Sequence, residues 1–468
     1  MNSRLPRRHF LAGAATALIL GAESSSLLGA QATSSDSALP NIVFLISDDQ
    51  SVPDLGCYGN PHIRTPRLDQ LAREGMRFTN CFCASPQCSP NRSSIFTGCT
   101  PHTINTSRLH TPMPPWETTV LDLLKGRGYF TGIFRKHHQG ENFEKKLDFY
   151  GDAKAPFSAF VDKLPAGKPF FLQFGSTDPH RPYGKGALNP PHDPAKVLVP
   201  PYLPDDPAVR EDLADYYDEI GRFDKECGEL LDLLRSRGLL ENTLVVMTGD
   251  NGLPFPRAKG TLYDPGLQVP LIAWWPGKIA PGTVKDELIS HVDFAPTWLA
   301  SAGLAAPEKM QGRSFLPLLR GESYRPRDSV YSERNWHDTY DPMRSVRTQN
   351  FKLIFNARPE LGYRPSWDLE DSPSWEAIQR LGRRGGLSQQ QTRLLETSRP
   401  VLEFYDLRKD PAEFDNAIDR KEYETEALRH RTLLSNWMHE TYDYLPPLAR
   451  QSSANDPTSS RGLVPPAL

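Results

Sequence analysis

No charge of one sign dominates this chain: 54 lysines and arginines meet 57 aspartates and glutamates, a formal net charge of −3 over 468 residues. That near-balance excludes a broad electrostatic attraction to nucleic acid or to a membrane surface. The apolar run at residues 12–22 is short and broken by glycine and threonine, so no stable membrane anchor is expected. No internal repeat is visible. Cysteine is scarce, and five of the six (Cys57, Cys81, Cys83, Cys88 and Cys99, but not Cys227) fall between residues 57 and 99. A chain of this size needs no disulfide framework, and Cys81-x-Cys83 lacks a second Cys/His pair at zinc-site spacing.

What is present is a core and many loops. Hydrophobic residues make up 38% and charged residues 24%, a globular composition with enough length for two or three domains. The 44 prolines point to long surface loops rather than a helical bundle. At the N-terminus, Arg7-Arg8-His9-Phe10-Leu11 precedes the short apolar run, and Ala30-Gln31-Ala32 has the small-x-small form of a cleavage site. The pattern resembles a twin-arginine export signal over residues 1–32, which predicts a periplasmic or secreted protein. An uncleaved anchor is the competing reading. Residues 449–468, rich in serine and proline, are expected to be a disordered tail.

Between these ends, buried strands and helices alternate. Asn41 to Ile46 is a continuous apolar run with β-branched residues, suited to a strand covered on both faces, and it runs into Ser47-Asp48-Asp49-Gln50. Tyr129 to Phe134 runs into Arg135-Lys136-His137-His138, Phe170 to Phe174 into a loop carrying His180, and Thr243 to Met247 into Asp250-Asn251-Gly252. Helices are expected at 65–72, 119–127, 208–237 and 293–302. Ligands of open α/β sheets bind beyond the carboxyl ends of strands, so a doubly wound, mostly parallel sheet would gather all four polar clusters at one edge. Residues 179–207, rich in proline and glycine, read as a lid or a substrate wall. From about residue 325 the strands become short and alternating, which predicts a smaller C-terminal α+β domain on an antiparallel sheet over 326–448, after a catalytic domain over 33–325. A helix over 423–442 is expected to pack on that sheet.

The clusters define a chemistry. Asp48, Asp49, Asp250 and Asn251 offer only oxygen donors, which suits Ca²⁺ or Mg²⁺ over zinc. Arg92, Lys136, His138, His180 and Lys259 could surround a tetrahedral oxyanion beside that metal, with a histidine protonating a leaving group. Cys88 precedes Pro90 and Arg92 in Cys88-Ser89-Pro90-Asn91-Arg92, where the proline suits the first turn of a helix. Cys88 then lies just before that turn, near the positive helix end. By itself Cys88 reads as a small buried thiol. The ensemble reads as a site for hydrolytic transfer of a sulfuryl or phosphoryl group, with neither preferred.

Taken in order, these motifs resemble the sulfatase family of the alkaline-phosphatase superfamily, over roughly residues 40–445. Cys88-Ser89-Pro90-Asn91-Arg92 through Thr97-Gly98 is similar to the family signature whose cysteine is oxidised to formylglycine (3-oxoalanine). Asp48-Asp49 and Asp250-Asn251-Gly252 resemble the two metal motifs, and Lys136 and His138 the lysine and histidine of Gly-Lys-x-His. Gln311-Gly312-Arg313 and Tyr405-Asp406-Leu407 resemble further landmarks. The stretches Asp178-Pro179-His180-Arg181, Gly252-Leu253-Pro254-Phe255-Pro256 and Asp341-Pro342-Met343-Arg344 look closest to the N-sulfoglucosamine sulfohydrolases, the heparan N-sulfatases. Two departures stand out: Asn91 replaces the usual serine of the signature, and Arg135 replaces the usual glycine before Lys136, adding bulk and charge beside the site.

The resemblance implies one Ca²⁺ per chain, held by Asp48, Asp49, Asp250, Asn251 and position 88. It implies that a formylglycine-generating or sulfatase-maturing enzyme converts Cys88. Hydrated formylglycine would attack sulfur, Lys136 and Lys259 would neutralise sulfate oxygens, His180 would protonate the leaving atom, His138 would help expel sulfate, and Arg92 would hold the hydrate. For the sugar, Trp336, His337, Asp338 and Arg344 are the expected contacts, since a ring needs polar partners and an aromatic to stack on. The expected substrate is the N-sulfate of glucosamine in heparin or heparan fragments. The rivals are an O-sulfatase on another glycan or an aryl ester, a phosphoric or phosphonic ester hydrolase, and a carbohydrate-binding protein with unmodified Cys88. Oligomeric state stays open, a dimer included.

Overall fold

The computed structural model describes residues 38–445. The export segment and the tail expected from sequence lie outside them. Of the described residues, those from Leu39 to Leu445 belong to one compact unit. Among the described residues no helix is long and apolar enough to cross a membrane.

Nine strands form the main sheet: β1 (Asn41–Ser47), β2 (Met76–Phe82), β3 (Phe130–Arg135), β4 (Phe149–Gly151), β5 (Phe170–Gly175), β6 (Thr243–Gly249), β7 (Gln268–Trp274), β8 (Thr283–Lys285) and β9 (Ile289–Ser290). Their order is β4-β3-β5-β1-β6-β7-β2-β8, with β9 also pairing β2. Only the pairings of β7, with β6 and β2, are antiparallel. The doubly wound, mostly parallel sheet is therefore as expected, with the short β4, β8 and β9 added. Four strands that end in polar clusters, β3, β5, β1 and β6, are consecutive neighbours and mutually parallel. Their carboxyl ends lie side by side, which is what brings the clusters together.

The apolar run of β1 explains the layering. Ile42, Phe44 and Ile46 pack with Phe96, Phe294 and Trp298 on one face. Val43 and Leu45 pack with Tyr216, Ile220 and Phe223 on the other. The second face is covered by the helices Pro66–Glu74 and Pro207–Ser236, the first by Cys88–Thr97, Val120–Gly126 and Phe294–Ser301. The proline-rich stretch after β5 is pinned to the long helix: Arg181 pairs with Asp212 at 2.7 Å, His192 with Asp218 at 2.6 Å and Asp178 with Arg222 at 2.6 Å. The stretch is anchored along that helix.

A second sheet, β10 (Val330–Trp336), β11 (Tyr340–Arg347), β12 (Phe351–Asn356) and β13 (Leu402–Asp406), is antiparallel in sequence order. Alternation gives this sheet two apolar faces. Val346, Leu353 and Phe404 meet Leu434 and Trp437 of the helix Glu424–Glu440. Val330, Met343, Ile354 and Tyr405 meet Phe82, Leu262 and Leu267 from the first sheet and its loops. The second sheet is thus wedged against the loop that follows β6.

Trp298 is 1% exposed and sits edge-on to Phe44, Phe171 and Phe294. Trp298→Ala is expected to cost about 3–5 kcal/mol of unfolding free energy by urea denaturation, and a loss below about 1 kcal/mol would contradict this packing account.

Candidate active site

The cluster is built at the ends of β1, β3, β5 and β6. Asp48 and Asp49 follow β1, and both are fully buried, as are Asp250 and Asn251 after β6. Backbone hydrogen bonds extend the ladder past the strand ends: Asp48 N–H to Asp178 at 2.8 Å, Lys136 N–H to Gly175 at 2.9 Å, Asp250 N–H to Ser47 at 3.1 Å. Gly175 allows this approach, since a Cβ there would lie 2.0 Å from the Lys136 carbonyl.

Cys88 is the first residue of the helix Cys88–Thr97, one position further in than the sequence suggests, with Gln87 as N-cap and Pro90 still in the first turn. Every residue of this helix is buried. Ser93 and Thr97 return their hydroxyls to the carbonyls of Ser89 and Ser93 at 2.9 and 2.8 Å, so a polar helix survives inside the protein. Gly98, with φ +66, closes it. Asn91 ties the helix to its surroundings. Its Oδ1 accepts from Ala84 N–H at 2.9 Å, and its Nδ2 reaches the Asp250 carbonyl and His291 Nδ1. Asn91 thus bridges the Cys88 helix to the Asp250 loop and to His291.

Around Cys88 the charges interlock. Arg92 Nε donates to Asp250 Oδ2 at 2.8 Å and Nη1 to the Lys136 carbonyl at 3.1 Å, while Nη2 stands 3.7 Å from Asp48. Lys136 Nζ pairs with Asp48. Lys259 Nζ donates to Asp49 at 2.7 Å and to Asp368 at 2.6 Å. Asn251 Nδ2 donates to Asp49 Oδ1 at 2.7 Å, and Cys88 Sγ lies 3.8 Å from the same oxygen. His180 Nε2 is 3.8 Å from Asp49 and 3.6 Å from Asp368.

Burial and these neighbours set the protonation states. Burial pushes Asp250 up to about 7; Arg92 opposes the rise and the carboxylates of Asp48 and Asp49 add to it. Asp48 is also buried, yet Lys136, His180 and Arg92 outweigh that and hold it well below the usual carboxylate range. Burial raises the Cys88 thiol well above its ordinary value despite Lys136, so an unmodified Cys88 stays protonated. His138 falls to about 2 through burial and the Lys136 charge and is neutral. Its Nε2 meets His110 Nδ1 at 2.7 Å.

The residues fit a hard dication. Asp48, Asp49, Cys88 and Asp250 bring potential ligand atoms within 4.8 Å of one another, all buried. Asp48 Oδ1 and Asn251 Oδ1 have no hydrogen-bond partner in the protein. Buried carboxylates with orphaned oxygens match an oxygen-ligated ion.

Of the expected substrate residues, His337 and Asp338 lie on the Asp368 side of the cluster. His337 Nδ1 meets Asp338 Oδ2 at 2.7 Å, and that oxygen also accepts from Trp367 N–H, next to Asp368, at 2.9 Å. The Trp336 carbonyl accepts from the Gln87 side chain at 3.0 Å, which ties β10 to the cap of the Cys88 helix. Arg344 is not brought into this group. It is 0% exposed and spends its donors on Asp443, Asn335 and two carbonyls. Arg135 also differs from expectation. Its backbone has φ +61, the region where glycine is favoured, and its guanidinium forks onto Glu226 at 2.7 and 2.8 Å over the ring of Phe174. Its charge is taken up by the long helix rather than by the carboxylate cluster. Two residues of the site carry no motif: His110, and Asp368 in the short helix Trp367–Glu370.

A family model for sulfatases matches residues 40–304, and one for the C-terminal part of N-sulphoglucosamine sulphohydrolase matches 257–374. The chain belongs to the sulfatase family and is a sulfate ester or sulfamate hydrolase. It is 30% identical to the N-sulphoglucosamine sulphohydrolase of Homo sapiens, over 86% of this chain and 90% of that one. It is likewise 30% identical to an ulvan-active sulfatase of Formosa agariphila, over 85% and 74%. Among solved structures, BT4656 in complex with its substrate D-glucosamine-2-N,6-O-disulfate superposes with a TM-score of 0.65 at 20% identity, covering 87% and 99% of the chains. A phosphonate monoester hydrolase from Silicibacter pomeroyi gives 0.67 at 17% identity, covering 87% and 96%; both likenesses are of fold.

Adding a hard divalent cation to chelator-stripped protein is expected to raise the thermal midpoint, by the equivalent of about 2.7 kcal/mol at a hundredfold excess over Kd. Asp250→Asn should lose most of that rise. An unchanged midpoint in the unsubstituted protein would contradict a cation site here.

Proposed function

We propose that this protein is an exported, calcium-dependent sulfatase with formylglycine at position 88, acting on a sulfated sugar and foremost on the N-sulfate of glucosamine in heparin or heparan sulfate fragments. The observation that carries the reading is a charge count. Four carboxylates, Asp48, Asp49, Asp250 and Asp368, are paired with three fixed cations, Arg92, Lys136 and Lys259. With Asp250 raised to about 7, the cluster alone carries at most one net negative charge and offers a sulfate monoanion no net attraction. A dication on its oxygen donors reverses the sign.

When bound, Ca²⁺ supplies neutralisation of sulfate oxygens and acidifies an oxygen nucleophile. This chain's residues supply the rest. Asp250, raised toward neutrality, suits a group that accepts a proton from a hydroxyl at position 88. Arg92 fixes Asp250 in place. Lys136 and Lys259 hold charge against sulfate oxygens. His180 Nδ1–H donates to the Arg181 carbonyl, so the proton that Nε2 hands to the departing nitrogen or oxygen comes from the imidazolium form, which then remains as the Nδ1–H tautomer. His138 is neutral but, held to about 2, is a weak base, so sulfate oxygens must offset the Lys136 charge before it takes a proton. A protonated, buried thiol could do none of the nucleophilic work, which supports conversion of Cys88 by a maturing enzyme. The paired arginines and cleavage pattern at the N-terminus support export.

The N-sulfate assignment draws on the identity to human N-sulphoglucosamine sulphohydrolase and on the match to its C-terminal part. A second reading, an O-sulfatase on another glycan, is favoured by the equal identity to the ulvan-active sulfatase. Matured protein tested on N-sulfoglucosamine, glucosamine 6-O-sulfate, an aryl sulfate and an aryl phosphate separates them. Sulfate release from N-sulfoglucosamine is expected, and turnover of another substrate with none of this one would defeat the assignment. Lys259→Ala should lower kcat/KM by about 10²–10³-fold, the scale of one lost oxyanion contact.

A further inference from the structure

A cavity of about 250 Å³ lies between the inner face of the second sheet and the loop at 257–263. Lys259 does not line it; that side chain turns to Asp49 and Asp368. Five arginines do, against two glutamates. Arg257 and Arg334 are 6% and 5% exposed, so their charges sit inside the protein. Arg257 Nη1, Arg334 Nε and Arg399 Nε each lack a hydrogen-bond partner in the protein.

The nearby acids do not balance these donors. Glu403 accepts from Tyr263 at 2.8 Å, from Asn356 at 2.6 Å and from Tyr405, and it forms no ion pair with an arginine. A single carboxylate, Asp341, is shared by Arg334 at 3.4 Å and Arg399. Burial pulls the Arg334 pKa down, and Asp341 offsets this only in part. Buried guanidinium donors without partners are costly, and their planar forks match oxyanions.

We propose that this cavity is a second anion site, which takes one sulfate or carboxylate group on the guanidiniums of Arg257, Arg334 and Arg399. The group could belong to free sulfate or to a saccharide, and the proposal stands whichever sugar the enzyme hydrolyses. The site adjoins the catalytic loop: Arg334 Nη1 donates to the Gly260 carbonyl at 2.6 Å, and Gly260 N–H donates to Pro86, two residues before Cys88, at 3.1 Å.

The test is a crystal of the unsubstituted protein soaked in sodium selenate, and a second soaked in a sulfated disaccharide. An anomalous selenium peak within hydrogen-bond distance of Arg257, Arg334 and Arg399, separate from any at Cys88, is expected. Isolated density in the first soak identifies free oxyanion as a ligand. Density continuous with a sugar in the second identifies a saccharide group. Selenate only at the Cys88 cluster, with no sugar anion in the cavity, overturns the proposal. Arg399→Gln should weaken selenate binding to the cavity at least tenfold, equivalent to about 1.4 kcal/mol, while leaving the Cys88 peak in place.

Discussion

Three carboxylates, Asp48, Asp49 and Asp250, are fully buried within reach of one another, and the rest of the structure is arranged around the cost of keeping them there. Removing such charges from water is expensive unless they are paired or hold a metal. Arg92, Lys136 and Lys259 each come from a different segment to meet them, and each is itself buried or nearly so. Deleting any one partner would leave a charge stranded. The pairing is also incomplete: Asp250 is pushed toward neutrality and two oxygens are orphaned. In the proposed reading this incompleteness is the functional feature, because it leaves oxygen donors for a cation and, with the cation, a place for an anionic substrate.

The same constraint explains the topology. A cluster contributed by β1, β3, β5 and β6 needs those strands parallel and adjacent, as they are. Apolar packing on both faces, from the Tyr216 and Phe223 side and from the Trp298 side, fixes the sheet so that its end can carry charge. The second sheet contributes differently. It presses on the loop after β6 and, through Trp336, on the cap of the Cys88 helix, and it brings His337 and Asp338 beside Asp368.

Much of this was legible in the sequence because strand-end motifs carry both a structural and a chemical signal. An apolar run that stops at Asp48-Asp49 or Asp250-Asn251 announces a buried strand and its site together. Asp368 was not legible: it lies in a single helical turn with no motif, and only the folded chain sets it beside Lys259 and His180. Arg344 looked like a sugar ligand because an exposed and a buried arginine read alike in sequence, and its partner Asp443 is far along the chain. Arg135 looked like an intrusion. Its positive φ explains why glycine suits that position, and Glu226 on a distant helix explains where the charge goes.

The central claim is that the buried charges serve a nucleophile the translated chain does not contain. The direct measurement is mass spectrometry of the tryptic peptide spanning residues 78–92 from catalytically active protein made with a maturing enzyme. That peptide also holds Cys81 and Cys83, which serve as internal thiol controls. The account predicts an aldehyde at position 88 and thiols at the other two. A thiol at position 88 in fully active protein would contradict it.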